Sequence, residues 1–342
     1  MSETLESIAK EMVKSGQGIL AADESTGTIK KRFDTIGLEN TEPNRQAYRE
    51  LLFTSEEAMR DYISGVILFD ETIRQSTKDG RRFVDVIKAA GAVPGIKVDK
   101  SAHPLAGFPG EKITEGLDGL RGRLAEYYEL GARFSKWRAV IDIAEGLPTL
   151  GALKANAHAL ARYATLCQEA GIVPIVEPEV IMDGPNATHD ADRAQAVTEL
   201  ALNVQFDALY EQRVSLTGMV LKPSMVVPGQ HGPQISPQEV AERTLACLKA
   251  TVPPAVPGIA FLSGGQSDER ATEHLSIMNK LGGGPWALTF SYGRALQAAA
   301  IKAWGGKAEN VPAAQAAFTH RAKMNSRAAL GTWTEADEKM AA

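Results

Sequence analysis

Short, almost wholly apolar runs recur along the chain, each followed by a polar or glycine-rich turn and then a stretch of helical pattern. The runs cover residues 18–23, 63–69, 93–98, 134–140, 173–177, 216–221, 258–262 and 286–290. They are rich in Val, Ile, Leu and Phe and do not alternate with polar residues. That is the pattern of strands buried on both faces, as in a parallel sheet. The intervening stretches predict helices over 45–59, 117–130, 155–170, 197–213, 294–304 and 313–330. Gly131, Gly171, Gly305 and Gly331 stand where several of them must stop. Ser236-Pro-Gln-Glu239 has the form of a capping box with proline at the first helical position, followed by Val240, Leu245, Leu248 and Val252 at helical spacing.

Eight strand–helix units in sequence predict an α/β chain folded as a closed (β/α)8 TIM barrel, preceded by an extra N-terminal helix and ending in a C-terminal helix and tail. No linker divides the chain, so residues 1–342 are expected to form one domain, with 331–342 a polar and mobile tail. No G-x-G-x-x-G follows the first run, which argues against a dinucleotide-binding fold.

Composition narrows the function classes. The net charge of −5 gives no basic excess for nucleic acid. The two cysteines, Cys167 and Cys247, form no disulfide framework or zinc cluster, and no apolar run approaches the roughly 20 residues that span a bilayer. A protein of the cytoplasm is expected.

In such a barrel, chemistry gathers where the strands end. Those ends carry Asp23, Glu24 and Ser25; Asp70 and Glu71; Lys97 and Asp99; Lys136 and Arg138; Glu177 and Glu179; Lys222; Ser263-Gly264-Gly265; and Ser291-Tyr-Gly293-Arg294. Lys222 draws most attention. It leaves an apolar strand directly before Pro223, and burial of a lysine in apolar surroundings disfavours the ammonium form. A neutral amine attacks carbonyls. The glycine-rich turns before the last two helices have the usual position of a barrel phosphate site, and Arg294 adds a forked donor. Ser25, Lys97 and Arg138 could hold a second anion, which suggests a substrate with two phosphates. Asp183, His189, Asp190 and Asp192 in the loop after the fifth run match no metal-ligand spacing.

Several segments together resemble class I fructose-bisphosphate aldolases. They are Gly18-Ile-Leu-Ala-Ala-Asp-Glu-Ser-Thr-Gly27, Gly95-Ile-Lys-Val-Asp-Lys100, Lys136-Trp-Arg138, Val176-Glu-Pro-Glu179, Leu221-Lys-Pro223, Phe261-Leu-Ser-Gly-Gly-Gln266 and Phe290-Ser-Tyr-Gly-Arg294. The resemblance implies reversible cleavage of fructose 1,6-bisphosphate through a lysine Schiff base, with neither metal nor cofactor, in a cytoplasmic homotetramer. By that resemblance Lys222 would form the Schiff base and Glu177 would act as general acid and base. Asp23 would take the C4 hydroxyl proton or position it, and Lys136 and Glu179 would tune Lys222 and Glu177 through charge. Ser263, Gly264, Ser291, Gly293 and Arg294 would bind one phosphate. Ser25, Thr28, Lys97 and Arg138 would bind the other, with Arg32 at the rim. The family's serine is replaced by Thr28, which keeps a hydroxyl. Animal members carry a tail tyrosine that aids proton transfer at C3; no tyrosine follows Tyr292 in this sequence.

Overall fold

A computed structural model describes residues 3–185 and 187–339. Eight strands close into a parallel barrel: β1 (Gly18–Ala22), β2 (Ile63–Leu68), β3 (Val93–Lys97), β4 (Phe134–Ile141), β5 (Val173–Val180), β6 (Val220–Leu221), β7 (Gly258–Phe261) and β8 (Ala287–Tyr292). The ring shuts where Ile19 of β1 lies in register with Ser291 of β8.

Side chains alternate across a strand, so every second residue faces the barrel interior. One apolar cluster gathers Ile19, Ala21, Ile67, Phe134, Ile175, Val220 and Ala260 from the strands with Ile8, Met12 and Val13 from the N-terminal segment. The helix Leu5–Met12, capped by Thr4, thus plugs the barrel end where the strands begin. The outward positions pack against the helices in a second, larger core. Phe134 is accommodated because Gly95 stands beside it: a Cβ at that position would lie 2.3 Å from its ring.

Continuing each inward row two residues at a time gives the polar end of the barrel. Ile19 and Ala21 lead to Asp23, Phe134 leads to Lys136 and Arg138, Ile175 leads to Glu177 and Glu179, and Val220 leads to Lys222. The barrel is apolar at its plugged end and charged at its open end because these rows change character partway along.

Four expectations need correction. The sixth run is a strand only at Val220–Leu221; Leu216–Gly218 forms a 3-10 turn. Gln168 Nε2 donates to the carbonyls of Ser215 (2.8 Å) and Gly218 (3.1 Å), taking acceptors that a longer ladder would use. The helix expected over 45–59 ends at Phe53 and is followed by a separate π-helical turn, Ala58–Tyr62. Ser236 does cap the helix Pro237–Thr251, but Glu239 turns to Arg243 (2.9 Å) instead of closing the box. The described part of the expected mobile tail is docked. Trp333 is buried and donates Nε1–H to Glu338 (3.0 Å), Thr334 and Asp337 form a capping box, and Arg321 holds Glu338 at 2.5 Å. Residues 340–342 lie outside the described residues. A hairpin between Ala102–Pro104 and Lys112–Thr114, after β3, carries no clear pattern in the sequence.

Candidate active site

The open end of the barrel holds a cavity of about 410 Å³. Every site residue predicted from the sequence lines it: Asp23, Ser25, Thr28, Arg32, Lys97, Lys136, Arg138, Glu177, Glu179, Lys222, Ser263, Gly264, Ser291, Gly293 and Arg294. The wall is not a cation-rich surface. Six carboxylates (Asp23, Glu24, Asp99, Glu177, Glu179, Asp183) stand with six cations (Arg32, Lys97, Lys136, Arg138, Lys222, Arg294), so the formal charges cancel. Most of the cations are paired.

At the floor, four charged groups form a line. Lys222 Nζ lies 3.3 Å from Glu177 Oε1, Glu177 Oε2 lies 3.5 Å from Lys136 Nζ, and Lys136 Nζ lies 2.7 Å from Asp23 Oδ2. Lys222, Lys136 and Glu177 are 4%, 5% and 3% exposed, so these interactions act with little solvent screening. Pro223 keeps Lys222 at this spot: the Lys222 amide still donates to Val176 O (2.9 Å), and the next residue has no N–H to continue the ladder. Burial alone would raise the Asp23 pKa, but the Lys136 and Lys222 ammoniums outweigh it and hold the carboxyl well below the usual range. Burial opposes the charge on Lys136; Asp23 and Glu177 outweigh that and push its pKa up, so it remains an ammonium. The Glu177 carboxylate stands between the two lysines, one oxygen toward each. Repulsion between the two lysines is therefore moderated by a shared anion.

Glu179, next on the inward row of β5, binds Arg138 Nε at 2.9 Å. Its pKa lies above the usual carboxylate range, because burial and the neighbouring Glu177 exceed the pull of Arg138. Lys97 is likewise held, by Asp99 at 2.5 Å. Ser25 caps the helix Thr26–Asp34, and its hydroxyl meets that of Thr28 at 3.1 Å. Ser25, Thr28, Lys97 and Arg138 thus share one cavity, with both cations already neutralised.

Across the cavity, Gly264 has φ +54°, and a Cβ there would press on Met182 at 2.7 Å, so glycine suits both the turn and the contact. Ser291 is 1% exposed and its hydroxyl has no hydrogen-bond partner among the described residues. Arg294 spends donors on the loop itself, bonding Gly264 O (2.8 Å) and Gln266 O (2.5 Å). Arg32 falls on this side: its Nη2 would lie 3.3 Å from a Cβ at Gly293, and it binds Glu24 at 3.0 Å.

Glu24 and Asp99 were visible at strand ends without an assigned role. Glu24 is buried and also gripped by Arg49 at 2.6 Å, an arginine on the helix Glu42–Phe53 that nothing in the local pattern singled out. After β5, Asp190 caps the helix Ala191–Glu211, and Asp192, in the first turn of that helix rather than in the loop, pairs with Arg243 at 2.7 Å. Tyr292 is buried and donates its hydroxyl proton to Ala271 O (3.0 Å), away from the cavity.

The chain was compared with known families and structures. A family model described as fructose-bisphosphate aldolase class-I matches residues 4–342. A "probable fructose-bisphosphate aldolase class 1" of Xanthomonas axonopodis pv. citri is 59% identical, across 97% of this chain and 98% of the relative. Cytoplasmic isozyme 2 of fructose-bisphosphate aldolase from Pisum sativum is 54% identical, across 93% and 88% of the two chains. Among solved structures, fructose-bisphosphate aldolase from Plasmodium falciparum, crystallised with TRAP and a small-molecule inhibitor, superposes with a TM-score of 0.93 at 48% identity, covering 96% of this chain and 95% of that one.

Proposed function

Because the chain belongs to the class I fructose-bisphosphate aldolase family, whose reaction is the reversible cleavage of fructose 1,6-bisphosphate through a lysine Schiff base, we propose that Lys222 is the lysine that forms it. The supporting observation is the pairing of Lys222 Nζ with Glu177 at 3.3 Å in the floor of the cavity.

In this reading, Lys222 passes a proton to the adjacent Glu177 and, as the free amine, adds to the C2 ketone of the substrate. Glu177 moves the protons that turn the carbinolamine into a protonated imine and release water. Asp23, held ionised by Lys136, accepts the C4 hydroxyl proton as the C3–C4 bond breaks. The bonding pair flows into the imine and leaves an enamine, while glyceraldehyde 3-phosphate departs. Protonation at C3 and hydrolysis then release dihydroxyacetone phosphate and regenerate the lysine. The imine is the electron sink, so the barrier falls through stabilisation of charge that develops only in the transition state.

The two ends of the substrate fit the two sides of the cavity. We assign one phosphate to Ser263, Gly264, Ser291, Gly293 and Arg294, with Arg32 alongside. The other goes to Ser25, Thr28, Lys97 and Arg138, where its charge would compete with Asp99 and Glu179 for the cations. We assign the protein to the cytosol, a reading supported by the cytosolic names of plant relatives. A homotetramer is proposed from the family resemblance and is checked by light scattering on the eluted protein.

The test is a coupled cleavage assay. Fructose 1,6-bisphosphate should be split by the wild type and not by Lys222→Met, and it should be preferred over fructose 1-phosphate through a lower KM. Turnover that survives in Lys222→Met would overturn the assignment.

A further inference from the structure

We propose that His274 is a positioning residue for the phosphate loop Ser263–Gln266, acting through the Gln266 side chain. The proposal rests on the reading that this loop receives a substrate phosphate. His274 lies on the helix Asp268–Lys280, behind the loop and outside the catalytic cavity. Its Nδ1 meets Gln266 Oε1 at 2.5 Å. The other end of the same amide donates to Ser263 O at 3.0 Å and to Met225 Sδ at 3.7 Å. Since Nε2 of Gln266 is the donor toward Ser263, its Oε1 is the acceptor, and the imidazole proton sits on Nδ1. Both side chains are buried. Burial pushes the His274 pKa down to about 4, with Arg270 acting in the same direction, so the ring is neutral near pH 7 and carries the one N–H that this bond needs.

The relay matters because packing backs the loop only in part. Gly264 rests on Met182, but a second cavity of about 300 Å³ lies behind the loop, with Gly265, Gln266, Met182 and His274 in its wall. Hydrogen bonds therefore help to set the loop's position. Gln266 holds the carbonyl of Ser263 with its backbone N–H (3.2 Å) and its side-chain Nε2 (3.0 Å), and Arg294 holds that of Gly264 (2.8 Å). In a trans peptide the following N–H points the opposite way. Anchoring the Ser263 carbonyl from behind thus fixes the direction of the N–H of Gly264, the loop glycine that lines the catalytic cavity. Without His274, the Gln266 amide loses the partner that orients it, and the loop can relax toward the empty space.

The test compares wild type, His274→Leu, His274→Asn and Gln266→Met. Asparagine places an amide nitrogen close to where Nδ1 stands; leucine and methionine remove the bond from either end at similar bulk. Calorimetry reads the affinity for dihydroxyacetone phosphate, and borohydride trapping separately reads imine formation with unphosphorylated dihydroxyacetone. Leaving a buried amide without its partner should weaken dihydroxyacetone phosphate binding about tenfold in His274→Leu and in Gln266→Met. His274→Asn should stay within about threefold of wild type, and trapping of dihydroxyacetone should be unchanged in all four. Unchanged phosphate affinity in the leucine and methionine variants overturns the proposal, as does an equal loss of both readouts or failure of asparagine to restore binding. Wild type that binds dihydroxyacetone phosphate without forming any trapped adduct overturns the imine reading instead and leaves the relay to be judged on affinity alone.

Discussion

Lys136→Met is the sharpest probe of the charge line under the cavity. Lys136 sits 2.7 Å from Asp23 and 3.5 Å from Glu177, with its side chain 6% exposed. Methionine fills nearly the same space and removes the charge. Two buried carboxylates then lose their shared cation, and breaking a buried pair from one side costs about 3–5 kcal/mol. For 342 residues, an unfolding entropy of about 2.1 cal/mol/K per residue gives about 0.7 kcal/mol/K, so the loss corresponds to about 4–7 °C in Tm. The sign with pH follows from Asp23, whose folded pKa is depressed by Lys136 and Lys222 against burial. Its contribution in the wild type is present above the unfolded value of about 3.9 and fades only as pH falls through the lower folded value. In Lys136→Met the burial remains and the strongest attraction is gone, so Asp23 takes up a proton at higher pH. The stability deficit should therefore be large at pH 7 and smaller at pH 5. Thermal unfolding followed by tryptophan fluorescence at both pH values measures this, with cleavage expected to fall by about 10²–10⁴. A Tm within about 1 °C of wild type at pH 7 would refute the reasoning, and so would a deficit that does not change with pH.

Three further outcomes follow. Glu179→Gln should be no less stable than wild type at pH 7. Its folded pKa is raised, so the ionised form costs stability above the unfolded value of about 4.3, and the released Arg138, 47% exposed, can turn to water; a loss of more than about 2 kcal/mol in urea unfolding would contradict this. Gly95→Ala should cost about 1–3 kcal/mol through its clash with the Phe134 ring, and Phe134→Leu in the same chain should recover part of it, as read by denaturant midpoints. Trp333→Ala should cost about 3–5 kcal/mol by emptying the buried site that docks the C-terminal segment, while KM for fructose 1,6-bisphosphate stays within about twofold, since Trp333 does not line the catalytic cavity.

The barrel was legible because its strands are buried on both faces and so read as continuous apolar runs. The site was legible because such strands must end, and a charged residue two positions past an inward apolar one has only the barrel mouth to occupy. Lys136 above Phe134 and Lys222 above Val220 show this directly. What stayed hidden depends on contacts between distant segments. Nothing near Leu216 announces that Gln168 will capture the carbonyls of Ser215 and Gly218 and shorten the strand. The pairing of Arg138 with Glu179, of Arg49 with Glu24 and of His274 with Gln266 depends on which elements become neighbours. The tail looked free because it is polar, yet one buried tryptophan and one partly buried glutamate–arginine pair seat it.

Schiff-base formation is assigned to Lys222 alone. Incubating the protein with dihydroxyacetone phosphate, reducing with borohydride and mapping the peptides by mass spectrometry tests it in one step. The predicted result is a single stable adduct on Lys222, absent from Lys222→Met. An adduct on Lys136 or Lys97 instead, or no adduct from protein whose cleavage activity is abolished by a chelator, would contradict it.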